Sequence, residues 1–167
     1  MAADPLDELK TRARLRLNAA KRGDEPGAPR LRDCLHEVAR AVGFQHWEHA
    51  RRVLGGEAQW GEDMGRFWYA PRCIVHLNTW IADRGQALAA RERTAGFLLP
   101  YRRQFVLVEE GFVRELGLDP ADAAWEAAGR DLVSAYGSPA WKALARQRLS
   151  APAGSFERVG RAGPRVS

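Results

Sequence analysis

At 167 residues, 46% hydrophobic and 28% charged, the chain has the make-up of a globular protein, long enough for one ordinary domain or two small ones. A chain of this size buries roughly 70% of its unfolded surface, so it needs neither metal nor disulfide to hold a core. The net charge of +5 permits nucleic acid as a partner without demanding it, and no apolar run approaches the length of a membrane span.

Asp4-Pro5 offers an N-cap followed by proline at the first helical position. Leu6, Leu9, Ala13, Leu17 and Ala20 then recur at steps of three and four, predicting a helix over 5–22. Leu31, Leu35, Val38 and Val42 predict a second helix over 30–42, which Gly43 is placed to end in the left-handed conformation. Phe44, Trp47, Ala50 and Leu54 predict a short third helix closed by Gly55-Gly56, with the Trp47 indole buried. Residues 1–55 thus read as a three-helix unit that docks on the rest, because so short a segment makes a small core. Residues 56–66, rich in glycine and acid, read as a linker.

Beyond the linker the period changes, and 67–150 reads as an α+β domain. Cys73–Trp80 mixes β-branched, aromatic and polar residues, as a strand does. Alternation would set Cys73, Val75 and Leu77 on one face and Ile74, His76, Asn78 and Trp80 on the other. Asp83 can cap a helix over 84–95. Strands are expected at 97–99 and 105–108, around a turn at Pro100–Arg103. Helices follow at 109–116, from Asp119-Pro120 to Tyr136 with a break allowed at Gly129, and after Ser138-Pro139 with Trp141, Leu144 and Leu149 inward. Residues 151–167 lack apolar periodicity and read as a disordered basic tail. The fold class is α+β, with helices at both ends and about three strands between.

The stretch GFQHWEHARRV, Gly43 to Val53, gathers the residues most suggestive of function. His46 and His49 share a helix face, but Cys34 and His36 diverge by about 200° on theirs, so a tetrahedral zinc site is not expected and no metal or cofactor is implied. Ala39 and Gly43 before a short helix also fit a helix-turn-helix corner. Gln45 and His46 would then start the reading helix, with Arg51 and Arg52 on phosphates and Arg12 and Arg16 as further cationic contacts. A packing corner or a protein contact explains the same residues. The segments LDELKTRARLRLNAA and LRDCLHEVARAVGFQHWEHARRV resemble the helical N-terminal segment of bacterial glyoxalase-related proteins. That likeness rests on Leu9, Lys10, Ala13, Leu17, Leu35, Val38, Ala39, Gly43, Phe44 and Trp47, and covers about a third of the chain. It implies a metal-dependent lyase of repeated βαβββ modules, whose ligands have no match in the remaining sequence.

No nucleotide-binding glycine loop, zinc-protease motif or nucleophile elbow is present. Glu109-Glu110 suits the positive end of a helix dipole better than acid–base chemistry. His76, Asn78 and Trp80, with Tyr101 and Arg102 from the turn, form the candidate pocket, an oddly polar sheet face. Cys34 and Cys73 lie far apart, and the first thirty residues hold no apolar core with a cleavage site, so reduced thiols in a cytoplasmic protein are expected. The expected function is a non-enzymatic binding or adaptor protein whose N-terminal helices engage a macromolecule, protein ahead of nucleic acid, with no membrane partner. The alternative is a small-molecule binder or small enzyme using the His76–Trp80 face.

Overall fold

A computed structural model describes residues 4–23 and 26–160. Along the chain lie α1 (Pro5–Arg22), α2 (Leu31–Ala41), α3 (Trp47–Leu54), a 3-10 turn (Pro71–Val75), β1 (Asn78–Ile81), α4 (Arg84–Arg93), β2 (Phe97–Tyr101), β3 (Gln104–Val108), α5 (Glu110–Glu115), α6 (Ala123–Ala127), α7 (Pro139–Leu149) and a second 3-10 turn (Ala153–Ser155). The class is α+β, with one antiparallel sheet of order β1-β3-β2 among the described residues. Short polar side chains start the helices by accepting orphan backbone N–H groups: Asp4 from Leu6 at 2.8 Å, Asp83 from Gln86 at 2.8 Å and Ser138 from Trp141 at 3.2 Å.

The sheet register sets Trp80 opposite Val106 and Leu99 opposite the same residue on the other side. Phe97, Leu99, Val106 and Val108 enter the main core, whereas Leu98 and Phe105 pack with Ala87 of α4 and with Val133. Tyr101 pairs with Gln104, so the hairpin loop is only Arg102-Arg103, with Arg102 at φ 52°. Pro100 therefore lies within β2, an edge strand, where a missing N–H costs least. The outer edge of β2 is met by the chain at 130–132: Leu98 donates to the Arg130 carbonyl at 2.9 Å and Leu132 donates to the Leu98 carbonyl at 3.0 Å. No described residue pairs with the outer edge of β1.

Four expectations are corrected. The strand over 73–80 gives way to the 3-10 turn and a strand that begins only at Asn78. Pro71, with its fixed φ, sits at the first position of that turn, and Cys73 and His76 donate back to the carbonyls of Ala70 and Cys73. The long helix after Asp119 stops at Ala127, because Gly129 at φ 66° and Arg130 at φ 55° turn the chain. The segment read as a linker is built into the core: Ala58 and Met64 are buried, and Trp60 packs on Phe105 and Tyr136. The indole of Trp47 is half-buried, and Phe44 is the enclosed ring of the corner. One core cluster runs from Leu9 through Phe44, Trp68 and Leu99 to Trp141 and Phe156, so the helical unit and the α+β region share it.

The expected tail also differs. Residues 151–160 are ordered; 161–167 lie outside the described residues. Phe156 is buried, Val159 donates to the Arg40 carbonyl at 3.0 Å, and Arg158 meets Glu37 at 2.5 Å. Arg148 of α7 holds this segment. It is fully buried and donates to the carbonyls of Phe67 at 2.7 Å, Leu116 at 2.9 Å, Tyr69 at 3.1 Å and Ser155 at 2.6 Å, and to the Ser155 hydroxyl at 2.9 Å. Its guanidinium carbon lies 3.8 Å from the Phe156 ring centroid. Burial pushes its pKa down to about 9, which leaves it charged at neutral pH.

Candidate functional site

At the helical corner, α2 ends and Gly43 turns the chain at φ 98°. The three histidines here share one role. His36 Nδ1 accepts from the Trp47 N–H at 3.0 Å, His46 Nδ1 from His49 at 3.1 Å, and His49 Nδ1 from Gln45 at 3.1 Å. His49 Nε2 lies 2.6 Å from the Asp63 carbonyl, to which it donates while Nδ1 accepts. Each imidazole thus satisfies a backbone donor at the start of α3, and its Nδ1 lone pair is not available to a metal. No group of three or more His, Cys, Asp or Glu among the described residues is placed to hold an ion.

This arrangement has a pH consequence. Burial, then the neighbouring His49 and His36, holds the His46 pKa below the usual 6.5. A folded-state value below the unfolded one means that the unfolded chain binds the proton first. The stability contributed by neutral His46 is therefore complete above pH 6.5 and lost as pH falls through the folded value. Thermal melts between pH 7.5 and pH 5 are expected to show a falling midpoint, and His46→Asn, which keeps a cap acceptor without the titration, is expected to flatten that fall. Parallel curves for the two proteins would show that His46 is not the group responsible. Glu37, whose carboxylate Arg40 holds near a pKa of about 2, contributes its own loss only below the ordinary carboxylate range of 4.5.

The six residues expected to form a cationic contact face do not assemble into one. Gln45, His46, Arg51 and Arg52 surround α3, but acids are interleaved with them. Arg51 pairs with Glu48 at 3.0 Å and Glu57 at 3.3 Å, Arg52 with Glu62 at 2.6 Å, and Gln45 donates to Asp63 at 3.3 Å. Arg12 lies apart, bonded to Glu8 at 2.9 Å and donating to the Leu149 carbonyl at the end of α7. Arg16 approaches Glu37 at 3.8 Å. Glu57, Glu62 and Asp63 come from the segment read as a linker, which is why the sequence did not place them here.

The candidate pocket is likewise divided. Trp80 and Tyr101 meet, ring centroids 5.2 Å apart, and both contact Tyr69. The Tyr101 hydroxyl donates to Glu157 at 3.3 Å. His76 lies outside the strand and reaches Glu115 at 3.2 Å, while Asn78 donates to the His76 carbonyl at 3.0 Å. Arg102 serves the hairpin: its carbonyl accepts from Met64 at 2.8 Å and its N–H donates to Gly65 at 2.9 Å. Asn78 and Trp80 keep a common face on β1, and His76 leaves it because the 3-10 turn set by Pro71 precedes the strand.

The surface that sequence reasoning missed is beside that turn. Ile74 is 77% exposed, Val75 75% and Leu77 82%, with Trp80 at 42%. Leu77, Thr79 and Asn78, the last of them a residue named for the candidate pocket, open onto a groove of about 720 Å³ with Leu107, Thr94 and Glu110. The sequence signal was present as an uncharged run, residues 73–82, in a highly charged chain. Cys34 and Cys73 are both unbridged and buried, and burial pushes the Cys73 thiol up to about 11, away from reactivity. No described helix is long and apolar enough to cross a membrane. Comparison with family models, with curated proteins and with solved structures finds no match to this chain.

Proposed function

We propose that the protein is a non-enzymatic binding or adaptor protein with a protein partner, and that its contact surface is the 74–81 segment rather than the helical corner. The observation that carries this reading is the exposure of Ile74, Val75 and Leu77 next to an uncovered strand edge. Apolar side chains clustered at such exposure mark contact sites, and a free edge offers main-chain donors and acceptors to an added strand. Nucleic acid is disfavoured because the arginines of α3 are already neutralised by Glu48, Glu57 and Glu62. The resemblance of the first third to glyoxalase-related proteins adds no chemistry to the proposal: the described fold holds a single three-stranded sheet, not repeated βαβββ modules.

A benzoylphenylalanine photocrosslinker at position 77, in cells expressing the protein, tests this. Light-dependent protein adducts that survive nuclease are expected there, and not at position 15, where Leu15 is also exposed but lies on α1. Nuclease-sensitive adducts, or none beyond the control, would overturn the proposal.

A further inference from the structure

The partner of this surface can be narrowed by its charge and by its shape. Between Arg72 and Asp83 the chain carries ten residues without a single Asp, Glu, Lys or Arg. The whole molecule is cationic at +5, so two copies repel through most faces and can approach through an uncharged one. Strand edges are ordinarily guarded by lysine, proline, a bulge or a covering segment. The β2 edge has such a cover at Arg130–Leu132; β1, four residues long, has its shortness as a guard and no lysine, proline, bulge or cover among the described residues. Its own composition, Asn-Thr-Trp-Ile preceded by Leu77, favours extended pairing.

From these observations we infer that β1 pairs antiparallel with β1 of a second copy of this chain, joining two three-stranded sheets into one of six. The inference rests on the reading of 74–81 as a protein contact surface. A two-fold axis through Thr79 sets Thr79 against itself and Leu77 of each copy opposite Ile81 of the other. Opposed residues of an antiparallel pair project from the same sheet face. Thr79 and Ile81 stand opposite Leu107 and Phe105, on the sheet face that packs with Ala87 of α4, so this register brings Leu77 against the apolar Ile81 on that face. Trp80 falls beside Asn78 of the other copy on the opposite face, which covers the exposed part of its ring. The arrangement is isologous, so it closes as a dimer and leaves no further edge of this kind.

Sedimentation equilibrium of the purified full chain at tens of micromolar is expected to give twice the 18.6 kDa of the chain. Leu77→Glu, at a side chain too exposed to disturb the core, is expected to give the single-chain mass with an unchanged circular dichroism spectrum. Thr79→Cys is expected to form a chain-to-chain disulfide under mild oxidation, against a low background because Cys34 and Cys73 are buried. A single-chain mass for the unaltered protein would overturn the inference. So would a dimer that survives Leu77→Glu and is not crosslinked by Thr79→Cys. Adducts at position 77 heavier or lighter than twice the chain mass would leave the protein-binding proposal standing and remove this one; absence of adducts would remove both.

Discussion

Replacing Arg148 by lysine is expected to lower the unfolding free energy by about 3–5 kcal/mol, read as a fall in the urea midpoint with little change in slope. A guanidinium carries five N–H donors in a rigid fork, and here five acceptors from three stretches of chain face them: Phe67 and Tyr69, Leu116, and Ser155 twice. An ammonium has three donors and no fork, so at least two buried acceptors lose their partners, at about 1–3 kcal/mol each. Arg148→Met is expected to cost about as much for a different reason: it relieves the desolvated charge but strands all five acceptors. Ordinary domains hold about 5–15 kcal/mol in total, so either variant removes a large share. The segment after Ser150 should loosen first, because both Ser155 contacts and the Phe156 stacking depend on this side chain. Faster proteolysis there would accompany the loss. A midpoint shift worth under about 1 kcal/mol would mean that the cluster is solvated rather than dry.

Arg148 also shows what the sequence could and could not reveal. Trp141, Leu144 and Leu149 were legible as inward residues of α7, and the structure buries all three. Arg148 stands seven residues after Trp141 and four after Leu144, on the same stripe, but arginine is so seldom buried that spacing alone does not place it inside. The acceptors that make its burial tolerable come from residues 67, 69, 116 and 155, and no local pattern announces a contact across 81 positions. Caps and glycine turns were legible because their physics is local: Asp4-Pro5, Asp83 and Ser138-Pro139 each begin a helix where expected. The strand at 73–80 was misread because a mix of β-branched, aromatic and polar residues was taken as extended from Cys73, whereas Pro71 starts a 3-10 turn that leaves Ile74 and Val75 among the most exposed apolar side chains described. The linker was misread because glycine and acid dominate 56–66 by number, while Trp60, Met64 and the Gly65 carbonyl that receives the Arg102 N–H decide its packing.

Gly43→Ala is expected to cost about 2–4 kcal/mol, and the comparison with Gly129→Ala separates its two causes. Both glycines have positive φ, 98° and 66°; an alanine costs roughly 1 kcal/mol at 66°, inside the left-handed well, and more at 98°, beyond it. At Gly129 a methyl group would meet nothing within 4 Å. At Gly43 it would stand 2.8 Å from the Arg66 carbonyl carbon, 3.0 Å from its oxygen and 3.0 Å from the Phe67 nitrogen. These are backbone atoms, and they cannot swing aside as a side chain would, so an overpacking cost of about 1–3 kcal/mol is added. Moving away is opposed on both sides of the 66–67 peptide: Arg66 donates to the Gly43 carbonyl at 2.9 Å, and the Phe67 carbonyl receives Arg148 at 2.7 Å. Chemical denaturation of the two variants should therefore give unequal losses; equal losses would show that neither the contact nor the wider φ adds a cost at position 43. The shared peptide also couples the corner to the buried arginine. The double variant Gly43→Ala with Arg148→Lys is expected to lose about 1 kcal/mol less than the separate losses combined, because a 66–67 segment released by one change no longer resists the other.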